Sequence, residues 1–165
     1  MTRSAAKAEV LRIAMSTPED RAESRTGSAD ATPRILVVDD DRAVRLVLAR
    51  ALARAGYEVF LADSGSDALD QLEHRRDLIA VLSDIAMPAM SGIELATEVL
   101  RRYPGLPVLF VTSTNPDAAL LDHPLVGVVH KPVAIAELRT ALATLIGRAG
   151  APAASAAHDA TGAEG

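Results

Sequence analysis

The sequence predicts an α/β fold, a doubly wound parallel sheet of five strands with helices on both faces. Three observations carry this expectation. Short apolar runs recur at residues 35–38, 57–62, 78–82, 108–111 and 126–129. They are dense in Val, Leu and Ile rather than alternating with polar residues, which marks strands buried on both faces. Helical patterns lie between them, and strands alternating with helices close into a parallel sheet.

The first run ends in Asp39, Asp40 and Asp41. Two carboxylates about 4 Å apart repel by roughly 4 kcal/mol at an effective dielectric of 20, so the triplet calls for an explanation. A helical pattern follows at once, with Val44, Val47, Leu48, Ala51 and Leu52 on its apolar face. Asp41 stands where an anion favours a helix N-terminus, and Gly56 where a C-terminal cap belongs. After the second run, Ala68, Leu69 and Leu72 mark a shorter helix. After the third, Ser91 and Glu94 have capping-box spacing, and the pattern continues through Ala96, Val99 and Leu100 to Pro104. The segment 115–126, "NPDAALLDHPLV", has proline near both ends and room for about two turns, so a stunted helix or an irregular loop is expected there. The last helix carries Ile135, Leu138, Leu142, Leu145 and Ile146.

The flanks differ in kind. Residues 16–33 are small, polar and charged, and 147–165 are rich in Ala and Gly. The expected organisation is a flexible N-terminal tail over 1–32, one folded domain over 33–147 and a disordered tail over 148–165. Residues 4–15 could form one short helix, and Met15 could be an alternative start.

Composition excludes several classes of function. A net charge of −5 argues against a generic nucleic-acid binder, which needs clustered Lys and Arg. With no cysteine there is no disulfide, thiolate metal site or thiol catalysis. Aromatic residues make up only 2% of the chain, so aliphatic side chains must fill the core. The N-terminus lacks the apolar core of a secretory signal, and no apolar run approaches the roughly 18 residues of a membrane span. The expectation is a soluble cytoplasmic protein.

Ligands of an open parallel sheet bind beyond the carboxyl ends of its strands. The first strand delivers the three aspartates there, the third Ser83 and Asp84, the fourth Thr112 and Ser113, and the fifth His130, Lys131 and Pro132. Carboxylates converging from two strands make a hard oxygen site suited to Mg²⁺. A carboxylate can also be a nucleophile that forms an aspartyl-phosphate. A phosphoryl group in transfer needs its charge neutralised by a metal and a positioned cation, which Lys131 can supply. The Thr112 hydroxyl can donate to a phosphoryl oxygen, and Ser113 is small enough to leave space for the group.

In this order, "VVDDD", "LSDIAMPAMSG", "VTS" and "HKP" resemble the CheY-like receiver domain of two-component response regulators, over roughly residues 33–147. The resemblance implies a flavodoxin-like (βα)5 fold with strand order 2-1-3-4-5, and a signalling phosphoacceptor rather than an enzyme. It implies that Asp84 accepts a phosphoryl group from a phosphohistidine on a sensor histidine kinase or a histidine phosphotransfer protein. Asp40 would bind Mg²⁺ directly, with Asp39 close by or acting through water, and the Ala86 backbone carbonyl would be a further ligand. Thr112 and Lys131 would contact the phosphoryl group, and the Lys131–Pro132 bond falls where the family often has a cis peptide. The donor histidine belongs to the partner, so His74, His123, His130 and His158 read as structural or exposed. The basic clusters at 74–77 and 100–105 read as solvated helix ends.

The chain departs from the family pattern in two places. Val128, beside Gly127, stands where an aromatic residue usually swings inward, and the stretch from Thr112 to Lys131 is about three residues short. Output is therefore expected from a face other than the fourth helix, through a downstream protein or an atypical homodimer, with no direct contact to nucleic acid or membrane. Ala86 and Thr114 carry no charge or amide to orient water where the family tunes hydrolysis, so slow loss of phosphate is expected. Two other classes fit parts of the pattern. One is a phosphorylation-independent adaptor. The other is a Mg²⁺-dependent phosphatase like the haloacid dehalogenases, with Asp39 and Asp41 as its DxD pair.

Overall fold

A computed structural model of the chain describes residues 31–116 and 118–150. The expected tails lie almost wholly outside the described residues, as do the possible helix over 4–15 and His158. Five strands alternate with five helices: β1 (Arg34–Val38), α1 (Arg42–Arg54), β2 (Glu58–Ala62), α2 (Gly65–His74), β3 (Leu78–Ser83), α3 (Gly92–Arg102), β4 (Val108–Thr112), α4 (Ala118–Leu121), β5 (Val126–His130) and α5 (Ile135–Gly150). The strands form one sheet in the order β2-β1-β3-β4-β5, and every pairing is parallel. This is the expected flavodoxin-like order. Among the described residues no helix is long and apolar enough to cross a membrane.

Strand residues alternate between two cores, which is why the runs show no polar alternation. Leu36 and Val38 face one core with Phe60, Leu72, Leu95, Val99 and Phe110. Ile35 and Val37 face the other with Leu52, Leu82, Leu109, Leu138 and Leu142. Complete burial of a Val or Leu stabilises by roughly 1.5–3 kcal/mol. Ile35, Leu36, Val37 and Val38 of β1, none more than 1% exposed, thus anchor the centre of the sheet.

Local chemistry ends the elements where the sequence indicates. The Asp41 carboxylate accepts from the N–H groups of Ala43 and Val44, and Ser91 and Glu94 close a reciprocal capping box on α3. Gly56 follows α1 with a φ of 95°, in the left-handed region that glycine enters without a Cβ penalty. Ser64 caps α2 by accepting from the Asp67 N–H. α4 has only four residues and none is buried, as the short proline-flanked segment predicts.

Two residues assigned to apolar helix faces are exposed, Val47 at 65% and Ile135 at 53%. On α1 the buried residues are Leu48, Ala49, Ala51 and Leu52. Val47 precedes Leu48 by about 100° of helix rotation, which carries it past the edge of that stripe. Ile135 opens α5 at the rim where the sheet ends, ahead of the buried stripe of Leu138, Leu142 and Leu145. The helix continues to Gly150, three residues past the expected domain boundary.

Candidate functional site

The site begins with the backbone at the carboxyl ends of β1 and β3. The Asp84 N–H donates to the Val38 carbonyl at 3.0 Å, which places Asp84 against the exit of β1. Asp39, the first residue beyond β1, is only 1% exposed, and its N–H donates to Ala62 on the other side. Asp39, Asp40 and Asp84 each offer a carboxylate oxygen within 4.8 Å of the others. This is the β1/β3 switch point of the doubly wound sheet, where a crevice opens because the chain leaves in opposite directions. Asp40 is exposed, whereas Asp39 is buried and Asp84 half-buried. Asp41 is directed elsewhere, onto the first N–H groups of α1.

Asp39 and Asp84 are each held on both oxygens. Asp39 Oδ1 accepts from the Asp41 N–H at 2.8 Å, and Oδ2 accepts from Lys131 Nζ at 3.2 Å. Asp84 Oδ1 accepts from the Ile85 N–H at 2.7 Å, and Oδ2 accepts from the same Nζ at 3.3 Å. Lys131 follows edge strand β5, and its N–H donates to the Thr112 carbonyl at 2.9 Å. The Lys131–Pro132 peptide is cis, as the family resemblance implies.

Burial drives the Asp39 carboxyl above its ordinary pKa, against the pull of the Asp41 N–H and the lysine. Burial alone would lower Lys131, but the charges and bonds of Asp39 and Asp84 outweigh it and the lysine is raised. The two shifts agree once exposure is compared. The Asp39 side chain is 2% exposed and that of Lys131 24%, so desolvation weighs far more on the acid.

The loop after β3 is shaped around Asp84. The Ile85 carbonyl accepts from the Met87 and Gly92 N–H groups, and the Pro88 carbonyl from the Met90 N–H. None of these backbone bonds falls on the Ala86 carbonyl. Ser83 donates to the Asp84 carbonyl at 2.8 Å, and Ala89 turns the corner at a φ of 65°. Thr112 is buried at the end of β4, while Ser113, in the turn beyond it, is exposed. His130 is exposed, the His74 ring contacts the Asp70 carbonyl, and the His123 ring accepts from the Leu125 N–H.

Two contributors escaped the sequence reading. Arg45 donates from α1 to the Asp39 backbone carbonyl, tying the helix to the acid's own peptide. An arginine among surface residues of an amphipathic helix gives no sign of this. Gly92 is the other: its lack of a side chain is what lets α3 begin against Asp84. The basic cluster at 74–77 is also more than a solvated end. The Arg75 guanidinium stacks on Phe60 at 3.9 Å, and Asp77 pairs with Arg34.

Three acids converge at the switch point of a flavodoxin-like sheet, two of them bridged by one ammonium, and their oxygens suit a hard cation. The chain belongs to the response regulator receiver domain family, which matches residues 35–143. It is 40% identical over 118 residues to the response regulator MprA of Mycobacterium sp. (strain KMS), covering 70% of this chain and 51% of that protein. The chain thus spans about half the length of the curated relatives it matches. Among solved structures, a receiver domain protein from Clostridium thermocellum is 26% identical with a TM-score of 0.66, covering 70% of this chain and 95% of its own. Response regulator TrrA from Thermotoga maritima, solved in complex with Mg²⁺–BeF, is 30% identical with a TM-score of 0.62, covering 68% and 98%.

Proposed function

We propose that this receiver domain is a Mg²⁺-dependent phosphoacceptor that takes a phosphoryl group on Asp84 in a histidine–aspartate phosphorelay. The observation carrying this reading is the single Lys131 ammonium bonded to both Asp39 and Asp84, with Asp40 within carboxylate reach. The donor set fits a hard divalent cation: three carboxylates with an exposed side, and an Ala86 carbonyl outside the loop's backbone hydrogen bonds. Asp40, Asp84 and that carbonyl would hold Mg²⁺, with Asp39 in support, and the ion would supply charge neutralisation at the phosphoryl oxygens.

This chain's residues do the rest. The Ile85 N–H and Lys131 aim the Asp84 carboxylate. One of its oxygens bonds to phosphorus as the bond from phosphorus to the donor imidazole nitrogen breaks, and the electron pair stays on that nitrogen. Lys131 balances charge on the transferred group, and the Thr112 hydroxyl donates to one of its oxygens. The donor is a sensor histidine kinase or a histidine phosphotransfer protein, and output passes to a downstream protein by contact. Asp41, committed to the cap of α1, counts against the phosphatase reading, which needs it free beside Asp39.

Incubation with Mg²⁺ and a small acyl phosphate, followed by intact mass, tests the proposal. One phosphoryl addition is expected, lost in Asp84→Asn and on chelation of the metal. No addition to the wild-type chain would leave an adaptor, and turnover that depends on Asp39 but not Asp84 would indicate a phosphatase.

A further inference from the structure

The geometry points to Thr114 as a positioning residue that competes with the phosphoryl group for the Thr112 hydroxyl proton, and so limits how tightly that group is held. This rests on the role given to Thr112 above. It concerns retention of the group, a binding equilibrium, and not its hydrolysis.

Thr112 is 1% exposed, and both contacts of its Oγ1 come from one residue. The Thr114 N–H donates to it at 3.1 Å, and the Thr114 Oγ1 lies 3.1 Å away. A hydroxyl has one proton and two lone pairs. The amide can only donate, so it occupies one lone pair of Thr112. The hydroxyl contact could run in either direction, but exposure distinguishes them. Thr114 is exposed, and its own proton can go to water. Thr112 is buried, and among the described residues its hydroxyl has no other acceptor. At rest, therefore, the Thr112 proton lies on Thr114 Oγ1.

A phosphoryl oxygen is the better acceptor because the bond is charge-assisted. To reach it, the proton must leave Thr114, and Thr114 must turn its own proton away from water to keep the contact. Thr114→Val keeps the shape and the amide donor but removes the competing oxygen. The resting Thr112 proton is then left without a protein acceptor, and the incoming oxygen no longer competes with one. The net value of an ordinary hydrogen bond corresponds to a gain in affinity of roughly three- to tenfold.

The probe is Mg²⁺ with beryllium fluoride, titrated into the full chain by calorimetry. Thr114→Val is expected to bind about three- to tenfold more tightly than wild type, and Thr114→Ser to bind as wild type does. In a Thr112→Ala background, Thr114→Val is expected to change nothing, whereas a purely structural effect of the valine would persist. Unchanged or weaker binding by Thr114→Val, or the same gain without Thr112, overturns the inference. Failure of the underlying reading looks different. If the wild type binds no beryllium fluoride, or Thr112→Ala binds as well as wild type, the role of Thr112 falls and this inference falls with it. If the wild type binds, Thr112→Ala weakens binding and Thr114→Val changes nothing, only the inference about Thr114 falls.

Discussion

Gly92 opens α3 against the end of β3, and the substitution Gly92→Ala puts the packing of the site under direct test. A Cβ at this position lies 2.0 Å from the Asp84 carbonyl oxygen, 2.8 Å from Ile85 Cα and 2.9 Å from the Asp84 carbonyl carbon. All three are backbone atoms, so no side chain can rotate away. Reaching even 3.0 Å from the oxygen requires α3 and the end of β3 to part by about 1 Å. Overpacking of this kind costs typically 1–3 kcal/mol, and with backbone on both sides the upper value applies, about 3 kcal/mol. At about 4 °C per kcal/mol for a domain of this size, Tm should fall by about 12 °C. The displaced residue is the proposed acceptor, and a misplacement of about 1 Å costs on the order of 100-fold in rate. Thermal unfolding followed by circular dichroism, together with the initial rate of phosphorylation by acyl phosphate, measures both effects. Gly147, inside α5 with no atom within 4 Å of its Cβ position, is the control. There alanine should stabilise by about 1 kcal/mol through helix propensity alone. A Gly92→Ala variant within about 2 °C of wild type and with an unchanged rate would refute the reasoning, because α3 would then have room to pivot.

Asp39→Asn tests the cost of the buried acid. An acid whose folded pKa is raised contributes stability below its unfolded pKa and loses that contribution as pH rises through the folded value. At neutral pH the ionised Asp39 is thus a load on the fold, so the variant should melt higher than wild type at pH 7.5 without divalent cations. The gain should shrink as pH falls towards about 4. A variant that melts lower at pH 7.5 would mean that the lysine pair outweighs burial. Asp41→Ala removes a carboxylate that accepts from two N–H groups of α1, which should cost about 1 kcal/mol and about 4 °C in Tm. It should leave beryllium fluoride affinity unchanged, and a matching loss of affinity would place Asp41 in the site.

Most of the fold was legible because its signals are local. A strand buried on both faces must be apolar throughout, and an N-cap needs its oxygen within three residues of the helix start, so the strands and the caps at Asp41 and Ser91 could be read off directly. Val47 and Ile135 were misassigned because apolar character does not say where a helix face ends or where the sheet beneath it stops. The rim was legible as a set of residue types, since the carboxyl ends of parallel strands share one edge. Its wiring was not. The Lys131–Asp39 pair spans 92 residues of sequence, and the demand on Gly92 comes from an atom eight residues earlier that only the folded turn brings near.

The three aspartates after β1 looked like a cost of several kcal/mol, and the structure shows how that cost is divided. Asp41 turns to the helix and Asp40 to solvent, which leaves Asp39 and Asp84 as the buried or half-buried pair. A single ammonium from the far edge of the sheet reaches both, with Nζ–O distances differing by only 0.1 Å (3.3 Å against 3.2 Å). Lys131 therefore serves two acids and is committed to neither. A lysine locked to one carboxylate could not follow charge that arrives on Asp84 without breaking its strongest bond. Shared almost evenly, it can shift its weight towards Asp84 while Asp39 keeps the Asp41 N–H. On the proposed reading, the resting ion pair is what makes the switch possible. On the same reading, the arrangement that makes three acids tolerable at the end of a buried strand also keeps the cation available for a phosphoryl group.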